Sequence, residues 1–104
     1  MEVIITDFAK FQLKGIFEYY STEVSETTAS KLIDKIIAAI QDLERLTSIG
    51  AKEPLLSELK SNHRYLVAGN YKIIFLRENE ITYITDIFDC RQNPPKIIKR
   101  NKRK

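Results

Sequence analysis

The side chains able to move protons or hold a metal are few, because the chain has one histidine, His63, and one cysteine, Cys90. A single cysteine cannot close an internal disulfide, and one histidine beside it leaves a Cys/His zinc centre out of reach. No metal and no cofactor are expected. His63 is the one imidazole that could serve as a base near neutral pH, although a lone histidine at a strand edge also serves as an ordinary packed or solvated group. Cys90 has no neighbouring base or ligand in the sequence and reads as a small packed residue. The remaining reactive character is cationic. Lys96, Lys99, Arg100, Lys102, Arg103 and Lys104 place six basic and no acidic groups in the last nine residues, which leaves −3 on the remainder of a chain whose net charge is +3. Such a run is a solvated tail, or it meets nucleic-acid phosphate or an acidic protein surface.

The elements that must position these groups follow from length and periodicity. A chain of 104 residues supports one core, read here as a domain over residues 1–95 followed by a basic tail over 96–104. Apolar residues at 43% and charged residues at 30% describe an ordinary globular composition. No apolar run reaches the roughly 20 residues a spanning helix needs, and no signal-peptide pattern opens the chain. The expectation is a cytoplasmic protein without a membrane contact, its single cysteine suiting a reducing compartment.

Glu2 to Thr6 is β-branched and reads as a strand, with Thr6 or Asp7 placed to cap a helix. Ala9, Leu13, Ile16, Phe17, Tyr20 and Val24 then form one apolar stripe at helical spacing. Ser25 can cap a second helix, whose Ala29, Leu32, Ile33, Ile36, Ile37, Ile40, Leu43 and Leu46 keep the same rhythm up to a terminator at Gly50. So short a junction forces an antiparallel helical hairpin that leaves Lys31, Asp34, Lys35, Gln41, Asp42 and Arg45 to water. Ser48 to Asn62 reads as irregular, with one helical turn near Leu55 to Leu59.

Beyond it the period becomes two. Tyr65 to Val67, Tyr71 to Leu76 and Ile81 to Phe88 read as strands, separated by two-residue turns at Gly69-Asn70 and Glu78-Asn79. The fold class is α+β: an N-terminal strand and an antiparallel helical hairpin packed on one face of a mainly antiparallel twisted sheet, β-αα-βββ in order. This register sets Leu66, Ile73, Phe75, Ile84 and Phe88 toward the helices. Tyr65, Val67, Lys72, Ile74, Leu76, Ile81, Tyr83, Thr85 and Ile87 then face outward, on a surface too apolar to be left wet. Either another part of this chain or a partner segment covers it, and a short apolar helix or strand of a partner suits it. Arg91, where the closing strand leaves the sheet, is the best single functional candidate, because a charge there meets a partner without burial.

The run His63-Arg64-Tyr65-Leu66-Val67-Ala68-Gly69-Asn70-Tyr71-Lys72-Ile73-Ile74-Phe75, followed by Ile84-Thr85-Asp86-Ile87-Phe88-Asp89-Cys90-Arg91-Gln92-Asn93-Pro94, resembles the RelE/ParE toxin superfamily. The likeness lies in an Arg before a Gly/Asn turn, a Tyr-basic-apolar-apolar-aromatic strand after it, and an Arg-Gln-Asn-Pro ending; it extends over about residues 2 to 97.

The resemblance implies the toxin of a type II, plasmid-stabilisation kind of toxin–antitoxin system, neutralised by a cognate antitoxin that is laid over the sheet. Operator DNA would be met only indirectly, through that antitoxin. RelE-like members cut messenger RNA on the ribosome, whereas ParE-like members inhibit DNA gyrase.

Cleavage of RNA needs a base, an acid and stabilisation of a phosphorane. Arg64, Lys72 and Arg91 match the basic positions of the superfamily and could stabilise that charge, but arginine is never neutral and lysine becomes a base only when desolvated. His63 and Tyr83 are secondary candidates, and the tyrosine that RelE-like nucleases tend to carry beyond the closing strand is replaced here by Ile97 or Ile98. For Arg64 the structural alternative is an ion pair with Asp86 or Asp89. The reading therefore leans toward a ParE-like gyrase inhibitor, with a ribosome-dependent endoribonuclease and a non-toxic, toxin-derived binding module as alternatives. Tyr65, Val67, Ile74, Leu76, Tyr83, Ile87 and Arg91 are the expected partner-binding residues.

Overall fold

A computed structural model describes residues 2–45, 51–52 and 62–91. The elements run β1 (Glu2–Ile5), α1 (Asp7–Glu23), α2 (Glu26–Arg45), β2 (Ala51–Lys52), β3 (Arg64–Ala68), β4 (Tyr71–Glu78) and β5 (Ile81–Asp89). They form a mixed sheet in the order β1-β5-β4-β3-β2, parallel only between β1 and β5. The β-αα-βββ expectation holds, with the two-residue β2 added beside β3 in a segment that carries no strand period in the sequence. The expected turn near Leu55 to Leu59, the terminator Gly50 and the basic tail lie outside the described residues.

Thr6 makes the first corner. Its backbone N–H and its hydroxyl both donate to the Ile84 carbonyl, at 3.1 and 2.9 Å, while the hydroxyl oxygen accepts from the Ala9 N–H at 3.2 Å. One residue thus ends β1, caps α1 and pins the start of that helix to β5. The second corner is as short. Val24 and Ser25 both donate to the Tyr20 carbonyl, and the Ser25 hydroxyl accepts from the Thr28 N–H at 3.1 Å to begin α2.

The core lies between the hairpin and one sheet face, where Ala9, Ile36, Ile40 and Leu43 meet Ile73, Phe75, Ile84 and Ile87. Each fully buried large side chain contributes about 1.5–3 kcal/mol relative to exposure. Most α2 charges face water as expected, and the Asp42–Arg45 pair at 2.6 Å is on the surface, where it adds little.

The sheet departs from the sequence register in β5. Its hairpin turns at Asn79-Glu80, both with positive φ (51° and 64°), one residue later than expected. Phe75 therefore faces Ile84 instead of Thr82. A bulge then inserts one residue in β5 opposite Ile74/Phe75, and Ile73 pairs with Ile87. Because side chains alternate along a strand, the extra residue reverses every position after it. Ile87 moves beneath the helices, at 2% exposure, and Phe88 moves to the other face opposite Lys72. Ile87 is thus not on the outer partner-binding surface where the simple alternation puts it. That outer face is less open than the pattern implies, since Ile74, Leu76, Thr85, Asp86 and Phe88 are buried, while Val67 is well exposed and Ile4 of β1 less so.

Candidate functional site

Along α1, Gln12, Ile16 and Tyr19 share a side that looks across to the end of the sheet, and Gly15 lies among them. Nothing stands within 4 Å of where a Cβ on Gly15 would sit. The bare backbone leaves room for a cleft of about 570 Å³ between α1 and the strand ends, closed on the other side by Tyr71, Ile87, Asp89 and Arg91. Tyr71 opens β4 and pairs with Asp89, which closes β5. The Cys90 N–H donates to the Asn70 carbonyl at 2.7 Å and holds the two strand ends together. Cys90, expected to be packed, is exposed because it lies just past the last strand residue.

Arg91 folds back on Asp89. Its Nε and Nη2 donate to the two carboxylate oxygens at 2.9 and 2.8 Å, and its backbone N–H donates to Oδ1 at 2.9 Å. Nη2 also donates to the Tyr20 hydroxyl at 3.0 Å, so α1 fixes the angle of the guanidinium. Tyr20 is hydrogen-bonded in turn to the Tyr71 hydroxyl and packs edge-on against Tyr19 at 5.2 Å.

The fork from Arg91 holds the Asp89 carboxyl below its usual range despite partial burial. Asp89 and then Tyr20 raise the Arg91 guanidinium in return. Burial first, then the Tyr20 hydrogen bond, pushes the Tyr71 phenol well up, which keeps it neutral. The cleft therefore presents a fixed ion pair, the neutral Tyr71 phenol and apolar walls. None of these shifted groups is moved toward neutral pH, so the arrangement suits recognition better than proton transfer.

The other residues singled out in the sequence lie elsewhere. Arg64 starts β3, pairs with Phe75 and shares its face and its end of the sheet with Arg77, whose guanidinium is lowered by burial and then by the charge of Arg64. Asp89 is thus the partner of Arg91 and not of Arg64. The row of Arg64 and the row of Asp89 are four residues apart along β4, or roughly 13 Å at strand rise. Lys72 is on the opposite face, with Nζ 4.4 Å above the Tyr65 ring, a cation–π contact. Tyr83 shares that face but pairs with Leu76, again about 13 Å along the strand from Lys72. His63 is buried, at 5% exposure, just before β3.

Among the described residues no three His, Cys, Asp or Glu side chains gather around a metal-sized space, and no described helix is long and apolar enough to cross a membrane. Sequence reasoning missed Tyr20, Tyr71 and Asp89 as a unit. It also missed a second stripe on α1, where Phe8, Phe11, Gly15 and Tyr19 recur three or four residues apart outside the core.

A helical hairpin over a mixed sheet, β-αα-βββ in order, is the arrangement of the RelE/ParE toxin superfamily. The sequence profile of the ParE toxin of the type II toxin-antitoxin system, parDE, matches residues 3–94, and the chain belongs to that family. A solved structure described as the chromosomal ParDE TA system from P. aeruginosa superimposes with a TM-score of 0.72 at 22% identity, covering 86% of this chain and 95% of that one. No curated protein matches the sequence.

Proposed function

We propose that this ParE-family chain inhibits growth in the cytoplasm by binding DNA gyrase, and that a cognate antitoxin neutralises it. The observation that supports binding over RNA cleavage is the dispersal of the basic residues. Arg64, Lys72 and Arg91 occupy two faces and both ends of the sheet, so no single phosphate can meet all three. Phosphoryl-transfer catalysis depends on groups that converge on one reacting centre within hydrogen-bond reach. Arg91 in its cleft is then a recognition residue, and Tyr20 holds it in position. Operator DNA is reached only through the antitoxin.

The test is a supercoiling assay with purified gyrase and the purified chain. Inhibition that is relieved by equimolar antitoxin is expected. Unimpaired supercoiling, together with cleavage of ribosome-bound message that Arg64→Ala, Lys72→Ala and Arg91→Ala each reduce, would overturn the reading in favour of a nuclease. Absence of both activities in a soluble, folded chain that leaves viable counts unchanged would identify a non-toxic binding module.

A further inference from the structure

Two features of the α1 cleft and of the helix face beside it are not accounted for by the fold. The first is an exposed aromatic face. Phe11 is 70% exposed and Tyr19 is 60% exposed, flanking Gly15 on the same side of α1, with Phe8 one turn before them. Large aromatics are rarely left so open unless something docks on them. Gly15 adds to the anomaly, since a glycine inside a helix is destabilising relative to alanine, and a Cβ here would meet nothing within 4 Å.

The second is the unused edge of Arg91. A guanidinium carries five N–H donors. Asp89 and Tyr20 engage Nε and Nη2, while Nη1 has no partner among the described residues and the side chain is 57% exposed. Its angle is fixed from α1 by Tyr20, so the open edge is held ready for an acceptor.

We infer that this cleft receives an apolar, carboxylate-bearing segment of the partner protein, with the carboxylate on Nη1 of Arg91 and the apolar side chains against Phe11, Tyr19 and the bare backbone of Gly15. The inference rests on the reading of this chain as the toxin of a neutralised pair, and it moves the docking surface from the outer sheet face to α1. A protein acid is favoured over nucleic acid by the charges present. Among the described residues the one cation lining the cleft is already shared with Asp89, which would repel a run of phosphates, and the other described walls are aromatic, aliphatic or amide. One carboxylate set among apolar groups fits such walls and can take the two remaining donors in a charge-assisted contact.

The experiment uses the protein encoded beside this chain's gene, provided that it restores growth on co-expression, and measures its affinity for the full chain by calorimetry. Gly15→Leu puts a side chain into the cleft at a position where the added Cβ meets nothing within 4 Å, so its melting temperature should be unchanged or higher while affinity falls at least about 10-fold. Phe11→Glu should weaken binding by at least about 30-fold, as expected of an aromatic anchor. Arg91→Gln should weaken it by roughly 10- to 100-fold, the range for a lost charge-assisted bond. Lys35→Glu, on the water-facing side of α2, is the control.

Wild-type affinity in both Gly15→Leu and Phe11→Glu would overturn the assignment, as would a loss confined to Val67→Glu on the outer sheet face. Normal partner affinity in Arg91→Gln combined with lost nucleic-acid binding would give the cleft to a phosphate and also overturn it. Those outcomes leave the toxin–antitoxin reading intact. Failure of any neighbouring protein to restore growth or bind the wild-type chain would remove that reading and the inference with it.

Discussion

Replacing Tyr20 by phenylalanine keeps the ring against Tyr19 and removes a single hydroxyl that serves two partners, Arg91 and Tyr71. The two losses differ. The Arg91 side chain is largely exposed and exchanges the phenol for water. Tyr71 is 5% exposed, and its hydroxyl loses a partner where water enters poorly. A lost hydrogen bond costs about 0.5–1.5 kcal/mol, rising to about 3 kcal/mol when the orphaned group stays dry, so about 1–2 kcal/mol is expected. For a domain of this size that lowers Tm by roughly 5–15 °C.

The same change has a second readout. With the Tyr20 contribution gone, Tyr71 should titrate closer to the ordinary phenol range, with burial and the Asp89 charge still holding it up. Calorimetric melting and a near-ultraviolet phenol titration, each compared with wild type, measure the two effects. An unchanged Tm together with an unchanged Tyr71 titration would refute the claim that Tyr20 joins α1 to the strand ends.

Thr6→Ala removes both the α1 cap and the bond to the Ile84 carbonyl and should cost about 1.5–3 kcal/mol in urea unfolding, whereas Thr6→Ser should recover most of it. Phe75→Ala, at a fully buried position, should cost about 3–5 kcal/mol by the same measurement. Asp89 is held below its unfolded value, so its contribution is present above about pH 4 and is lost as pH falls through the folded value; Asp89→Asn should flatten the acid limb of a stability–pH curve. Tyr71 is raised, so its contribution is present below about pH 10 and fades as pH climbs toward the folded value; Tyr71→Phe should remove that alkaline loss.

The sequence made both helices legible because each begins at a side chain that can cap it and carries an apolar stripe at helical spacing. Thr6 and Ser25 perform those roles, and Ala9, Ile36, Ile40 and Leu43 are buried as the stripes imply. The β3–β4 register was legible for a similar reason, since Gly69 reaches the positive φ of 62° that its turn requires. Its neighbour was not. Glu80 is an unusual residue for positive φ, so the turn at Asn79-Glu80 has no strong local signal.

The bulge in β5 has even less signal, because Thr85-Asp86-Ile87-Phe88 alternates plausibly in either phase. The long contact of 3.4 Å from the Thr85 hydroxyl to the Ile74 carbonyl marks it only in three dimensions. The candidate site suffers from the same limit. Arg91 was readable from its position at a strand end, but Asp89, Tyr20 and Tyr71 come together only once α1 is laid against β5, and Tyr20 is 71 residues from Arg91 in sequence. The outer stripe of α1 was present in the spacing of Phe8, Phe11, Gly15 and Tyr19, yet it competed with a stronger core stripe on the same helix.

The most direct test of binding against cleavage is a transcriptome-wide map of RNA 5′ ends taken shortly after the chain is induced without its antitoxin. Growth arrest with no new ends inside translated codons is the predicted result. New ends within codons, absent when Arg64, Lys72 and Arg91 are all changed to alanine, would contradict it.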